Sequence, residues 1–232
     1  MVHTILLSGL LATLPSAGHV KAALVSENAA VAPGATITLG LHLELEPGWH
    51  VYWTNPGDAG VGPSIAWSKT KSVVPDSLQW PTPDTLAVFP LMTYGYGGQV
   101  LMPFEAKVDA QAKGEVELQG HAKWLECKDI CVPGKADLSL VLPVSAATEV
   151  VAPESRARFA EARASLPARE VGWKLRAAFS DSFVYLTARS DKGTPGDVAV
   201  RFFPLDQGLL DNAAAQEWVP TKDGFRLKIR RD

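Results

Sequence analysis

The stretch "TITLGLHLEL", Thr36 to Leu45, alternates without a break. Ile37, Leu39, Leu41, Leu43 and Leu45 fall on one side, and Thr36, Thr38, Gly40, His42 and Glu44 on the other. A period of two belongs to a strand with one buried face. "EVELQGHAKWL" (Glu115 to Leu125) repeats the pattern through Val116, Leu118, Gly120, Ala122 and Trp124, and "ADLSLVLP" (Ala136 to Pro143) through Leu138, Leu140 and Leu142. Turn signals punctuate the chain at Pro33-Gly34, Pro47-Gly48, Asn55-Pro56-Gly57, Gly97-Gly98 and Pro133-Gly134. Alternating strands with no helical pattern between them predict an antiparallel β-sandwich.

Near Ser145 the pattern changes. "SAATEVVAPES" has the small, polar character of a linker, and "PESRARFAEARASL" places Pro153 and Glu154 at the start of an Ala-rich helix. Strand-like segments then resume as "GWKLRAAF", "FVYLTAR", "DVAVRFFP" and "GFRLKIRRD". The expected organisation is all-β: a first domain over 19–146, a linker with one short helix over 147–170, and a second, smaller β domain over 171–232.

Composition narrows the function. Of 232 residues, 20% are charged and 47% hydrophobic, as in a folded globular protein, and the net charge of −3 disfavours a nucleic-acid partner. The apolar run Ile5 to Leu14 is too short to cross a bilayer and matches a signal-peptide core, although no Lys or Arg precedes it. Pro15 and the small residues Ser16, Ala17 and Gly18 follow, so residues 1–18 are expected to be a signal peptide and the protein to be exported. Outside the cytosol, two cysteines close together read as a pair.

Both cysteines lie in "KWLECKDICVPG", Lys123 to Gly134. Extended chain would place the Cα atoms of Cys127 and Cys131 about 13 Å apart, whereas a disulfide needs them within about 7 Å. A bond therefore requires a tight turn, with Pro133-Gly134 helping to close the bend. Closing a five-residue loop contributes only about 2 kcal/mol, so the bond is a poor staple and its position suits one that opens and closes. The flanking charges are mixed: Glu126 and Asp129 oppose a thiolate, while Lys123 and Lys128 favour it. Spacing and export leave three readings open: a redox couple, a short structural disulfide, and two free thiols or thiolate ligands for Cu(I).

Other candidates carry less. His19, His42, His50 and His121 are scattered, with His42 and His121 on polar strand faces and expected to be solvated. Asp58 and Glu105 show no partner, and neither a nucleophile elbow nor an H-E-x-x-H pattern occurs. The aromatics of "WHVYW" (Trp49, Tyr52, Trp53) and "TYGYGG" (Tyr94, Tyr96) read as core or loop anchors.

"EPGWHVYWTNPGDAGVGP" (Glu46 to Pro63), "TYGYGGQVLMPFE" (Thr93 to Glu105) and "WLECKDICVPGKADLSLVLP" (Trp124 to Pro143) occur in an order that resembles the N-terminal periplasmic region of DsbD/ScsB thiol:disulfide interchange proteins. The likeness is closest to the ScsB-like branch, associated with copper tolerance, and covers roughly residues 19–143. Residues 171–232 look like the second β domain of ScsB-like proteins. The resemblance implies an immunoglobulin-like sandwich whose cysteine pair takes electrons from a membrane-embedded domain through a thioredoxin-like domain and reduces oxidised periplasmic clients. No cofactor is implied, since the cysteines carry the two electrons. By position, Cys131 would form the mixed disulfide with partners and Cys127 would resolve it. DsbD domains space their cysteines more widely and shield them with a mobile aromatic cap, a role that Tyr94 or Tyr96 between glycines could take here. The family's transmembrane and thioredoxin-like domains are not among these 232 residues. The expectation is a piece of a longer protein or a chain served by separately encoded donors.

Overall fold

The computed structural model describes residues 18–88, 90–150, 153–168, 172–191 and 200–232. Residues 1–17 of the expected signal peptide lie outside them. Among the described residues, sixteen strands and one helix follow in chain order. The first nine strands are β1 Val20–Ser26, β2 Asn28–Ala30, β3 Thr36–Leu45, β4 His50–Gly57, β5 Ser64–Lys71, β6 Val73–Pro75, β7 Asp84–Val88, β8 Leu91–Gly97 and β9 Gln99–Val108. Then come β10 Glu115–Cys127, β11 Cys131–Pro143, β12 Glu149–Val150, α1 Pro153–Ser165, β13 Trp173–Phe179, β14 Phe183–Ser190, β15 Glu217–Thr221 and β16 Gly224–Arg230.

Two antiparallel sheets form the sandwich. One has the order β1-β3-β9-β6; the other runs β11-β10-β4-β8-β7, with β5 pairing alongside β10. The alternation that predicted β3 is what closes the core. Ile37, Leu39, Leu41, Leu43 and Leu45 are all buried, and they join Met102 and Phe104 of β9 and Val116, Leu118, Ala122 and Trp124 of β10 in one apolar cluster. The all-β, immunoglobulin-like class expected from the sequence is the one observed.

Helix α1 begins at Pro153, as its sequence predicts, and lies against the outer face of the first sheet. There Phe159 and Ala162 bury against Leu101 and Val25, and Arg163 grips the Glu27 carboxylate with two nitrogens at 2.8 and 2.7 Å. This packing also covers His42, which is half-buried rather than solvated as its place in the alternation implied, and whose Nε2 lies out of contact with water.

A third sheet, β13-β14-β16-β15, carries its own small core of Val184, Leu210, Leu227 and Ile229. "DVAVRFFP" was expected to be a strand. Its residues 197–199 lie outside the described ones, and Val200 to Pro204 are irregular. Their side chains divide between two cores. Val200 and Phe202 turn into the small one, while Phe203 meets Trp53 and Tyr94 of the sandwich edge-on, at 6.1 and 5.2 Å between ring centroids. Beside it, Asn55 Nδ2 donates to the carbonyls of Pro204 (2.8 Å) and Asp206 (3.1 Å), and Asn212 Nδ2 donates to Asp58 (2.7 Å). The third sheet is thereby docked on the β4–β8 side of the sandwich.

Candidate functional site

β10 and β11 form one long hairpin whose register runs from Glu115 opposite Pro143 to Cys127 opposite Cys131. The strands extend to the cysteines themselves, and the turn is only Lys128 to Ile130. Cross-strand pairing across this tight turn brings the two Cα atoms to 4.1 Å and permits the Cys127–Cys131 disulfide. Pro133-Gly134 does not make the bend. Both residues sit within β11, where the missing Cβ of Gly134 leaves room for the Trp124 indole.

The two sulfurs are unlike. Cys127 is 2% exposed, whereas Cys131 lies open on the hairpin with Ile130, 68% exposed, beside it. Pairing of β10 with β4 sets His50 opposite Cys127 and Val51 opposite Glu126. Side chains alternate across a strand, so Tyr52 shares the face of His50 and Cys127. Its hydroxyl donates to Cys127 Sγ at 2.8 Å and lies 3.4 Å from Cys131 Sγ. Burial pushes the Tyr52 phenol above its ordinary value, so it remains a donor across the physiological pH range. The His50 ring meets Tyr52 edge-on at 5.3 Å, and burial holds its pKa down, which keeps the imidazole neutral.

Above Tyr52 lies the loop after β4. Gly60 adopts φ +121, and a Cβ there would overlap the Tyr52 ring. Asp58, for which the sequence showed no partner, anchors this loop by accepting from the Met92 amide (2.7 Å) and from Asn212.

Tyr94 and Tyr96 occupy the other face of β8. The register places Gly95 opposite Tyr52 and Gly97 opposite His50, so the glycines of "TYGYGG" share the sulfur-bearing face and the tyrosines turn into the core. Tyr94 donates to Asn212 Oδ1 at 3.0 Å and Tyr96 to the Pro81 carbonyl at 2.7 Å. Burial raises both phenols, Tyr96 far above its ordinary range. The hydroxyl at the sulfurs is that of Tyr52, which sequence reasoning had treated as a packing residue.

Glu126 was also missed as anything more than a local charge. It continues the inward series 116-118-120-122-124 by one more step and is 1% exposed. Trp124 Nε1 donates to its Oε2 at 2.8 Å, and the backbone N of His19 donates to Oε1 at 2.9 Å. Among the described residues no group of three or more His, Cys, Asp or Glu side chains is arranged to hold a metal, so a Cu(I) site would have to rest on the two thiolates.

This arrangement, one shielded and hydrogen-bonded sulfur joined to one open sulfur, is chemically suited to thiol–disulfide exchange, in which an incoming thiolate takes one sulfur and releases the other. The crystal structure of the N-terminal periplasmic domain of ScsB from Proteus mirabilis superposes with a TM-score of 0.67 over 94% of this chain and 83% of that one. At 20% identity this likeness speaks for the fold. No curated protein matches the sequence. The profile of the family described as "Thiol:disulfide interchange protein DsbD, N-terminal" matches residues 21–143, more than half of the chain, and spans the sandwich and both cysteines. The chain belongs to this family of DsbD N-terminal thiol:disulfide interchange domains.

Proposed function

We propose that the sandwich relays reducing equivalents in the periplasm, from a thioredoxin-like donor supplied by a membrane electron-transfer domain to oxidised client proteins, through the Cys127/Cys131 couple. The observation that carries this reading is the inequality of the sulfurs: Cys131 is open and Cys127 is buried against the Tyr52 hydroxyl.

In the charging half-reaction a donor thiolate attacks Cys131 Sγ. The Cys127–Cys131 bond breaks, its electron pair leaves on Cys127 Sγ, and the Tyr52 O–H stabilises that thiolate. The donor's second thiol then attacks its own sulfur in the mixed disulfide and releases Cys131. The donor leaves oxidised and the pair reduced, two electrons having moved. In the discharging half-reaction the Cys131 thiolate attacks a client disulfide and forms a mixed disulfide. Cys127 attacks Cys131 Sγ, restores the original bond and releases the client as a dithiol. Exposed Ile130 offers an apolar contact to either partner beside the reacting sulfur. Tyr52 and the loop over it shield the pair between encounters; Tyr94 and Tyr96 support that cover from the core side by holding β8 and, through Asn212, the Asp58 loop.

The reduction potential of the couple tests the proposal. Thiol trapping in graded redox buffers should give a value of roughly −270 to −180 mV, between thioredoxin and the disulfide isomerases. A value below about −300 mV is that of a structural disulfide and rules the relay out.

A further inference from the structure

Glu126 is a buried carboxylate one residue before Cys127 on the inward face of β10, and the ion pairs among the described residues do not include it. Its two donors are both neutral in the uncleaved chain: the Trp124 indole and the amide N of His19. Removing a carboxylate from water is costly unless a cation compensates it. A charged carboxylate one residue from Cys127 also opposes the thiolate on which exchange depends.

The residue at the second donor is fixed from several sides. The His19 ring stacks on Trp49 at 3.6 Å with 10° between planes, and Nδ1 meets Glu46 Oε2 at 2.7 Å. The His19 carbonyl accepts from the Glu46 amide at 2.9 Å. At Gly18 a Cβ would stand 2.5 Å from Glu126 Oε1, so a side chain at this position would collide with the carboxylate. The sequence before this anchor reads Ser16-Ala17-Gly18, after Pro15 and the apolar run Ile5 to Leu14. With small residues one and three positions before it, the Gly18–His19 bond has the form that signal peptidases cut.

We infer that export cleaves the Gly18–His19 bond and that the α-ammonium so created at His19 becomes the counter-ion of Glu126, completing the redox site. A signal peptidase supplies the reaction. Water adds across the peptide bond, Gly18 keeps the new carboxylate, and the freed His19 amine takes up a proton. The nitrogen concerned already sits 2.9 Å from Glu126 Oε1, so cleavage turns a neutral hydrogen bond into a charge-assisted one without moving the chain. Glu126 is then neutralised, and Cys127 forms its thiolate more readily. In the uncleaved precursor the same carboxylate stays uncompensated and the thiol less reactive. The effect on Cys127 rests on the exchange function proposed above; the cleavage and the ion pair do not.

Three measurements test this inference. The full chain is expressed from Met1 in a Gram-negative host, and the exported protein is examined by intact mass and N-terminal sequencing. His19 is the expected first residue; any other terminus overturns the cleavage. A chain beginning at His19, prepared from a fusion cut to leave that residue first, is then compared with one beginning at Ser16. In the former the α-amine should resist acylation until a pH at least one unit above the ordinary ~8, and Glu126→Gln should abolish the shift. An unshifted amine overturns the ion pair. Should Glu126→Gln not fold, melting curves of the two wild-type termini decide the point. A raised amine pKa stabilises fully below its unfolded value and is lost as pH rises through the folded one. The His19 chain should therefore melt higher than the Ser16 chain at pH 7, with the gap closing toward pH 10. A gap that is absent at pH 7 counts against the pair. Finally, the Cys127 thiol, followed by alkylation in Cys131→Ser, should ionise at lower pH in the His19 chain. Equal ionisation in the two chains overturns the coupling to the redox site, whatever the amine shows.

Discussion

The hydroxyl of Tyr52 donates to Cys127 Sγ at 2.8 Å, across 75 residues of sequence, and is farther from Cys131 at 3.4 Å. A hydrogen bond to a charged acceptor is worth about 1.5–3 kcal/mol, so the bond matters most once Cys127 is a thiolate. Tyr52→Phe keeps the ring and removes the donor. The Cys127 thiol, measured by alkylation against pH in Cys131→Ser, should then ionise about one pH unit higher or more. Reduction of the disulfide by a small dithiol should slow about tenfold, because the leaving sulfur is poorer. Unchanged rates would mean that the hydroxyl packs against the sulfur without assisting it.

The unequal exposure of the two sulfurs predicts unequal trapping. Cys127→Ser, which leaves Cys131 open, should capture an oxidised partner or a bulky thiol reagent readily. Cys131→Ser, which leaves only the buried Cys127, should react at least tenfold more slowly. Gel-shift kinetics with a maleimide polymer would show the difference, and equal rates would remove the basis for assigning attack to Cys131. Neither substitution should cost much stability. The bond closes a very short loop already held by cross-strand pairing, so reduction should destabilise by about 2 kcal/mol or less.

What the sequence showed and what it concealed follow one physical rule. Period-two alternation is visible wherever one face of a strand is apolar and the other is polar. That is why β3 and β10 could be read directly, and with them the sandwich. It fails where both faces are covered. In β4, His50, Val51, Tyr52 and Trp53 are all buried, and on the side opposite the core Gly60 of the following loop lies against the Tyr52 ring. Nothing in "WHVYW" then separates the sulfur-facing Tyr52 from the core-facing Trp53. Glu126 was within reach of the same rule, since the inward series of β10 passes straight to it, but a carboxylate reads as a surface residue. Asn55-Pro56-Gly57 reads as a plain turn; the buried Asn55 in fact holds carbonyls about 150 residues away, a contact that no local pattern announces.

That long-range contact carries its own prediction. Asn55 is 1% exposed; its amide nitrogen is spent on Pro204 and Asp206, and its Oδ1 accepts from the Gly57 amide at 2.9 Å. Asn55→Ala strands three backbone groups at the junction, each costing about 1–3 kcal/mol if it stays dry. The third sheet should loosen first. Limited proteolysis should show new cuts between residues 200 and 212, while Tyr52 and the disulfide keep their native reactivity. Cleavage at wild-type rates would show that Phe203 alone holds the junction.

Gly60 tests the roof over the site. Any side chain there is strained by φ +121 and overlaps the Tyr52 ring, so Gly60→Ala should destabilise by about 1–3 kcal/mol and lift the loop. The expected sign at the sulfurs is faster reaction with small oxidants and reductants. By contrast, replacing Tyr94 and Tyr96 by Ala should act mainly through lost core packing. A Gly60→Ala protein that is destabilised yet reacts no faster would mean that the loop does not limit access.

The last prediction concerns pH. Burial holds His50 below its ordinary value. His42 is lowered by burial first and by the positive charge of Arg158 second. Both are therefore neutral in the folded protein at a pH where the unfolded chain already binds protons. Stability from this source is complete above about pH 6.5 and is lost as pH falls below that value toward the folded ones, by at most about 1.4 kcal/mol per pH unit for each histidine. Glu27, lowered chiefly by its hydrogen bonds from Arg163, adds a loss of the same sign only below its ordinary 4.5, so the two regimes separate. Urea midpoints at pH 7.5 and 5.5 should differ clearly in the wild type, and less in His50→Phe and in His42→Leu. Profiles that run parallel in all three proteins would show that neither histidine resists protonation. The neutral imidazole opposite Cys127 would then be a feature of high pH alone, and the Tyr52 hydroxyl would share the sulfurs with a cation at the pH where exchange takes place.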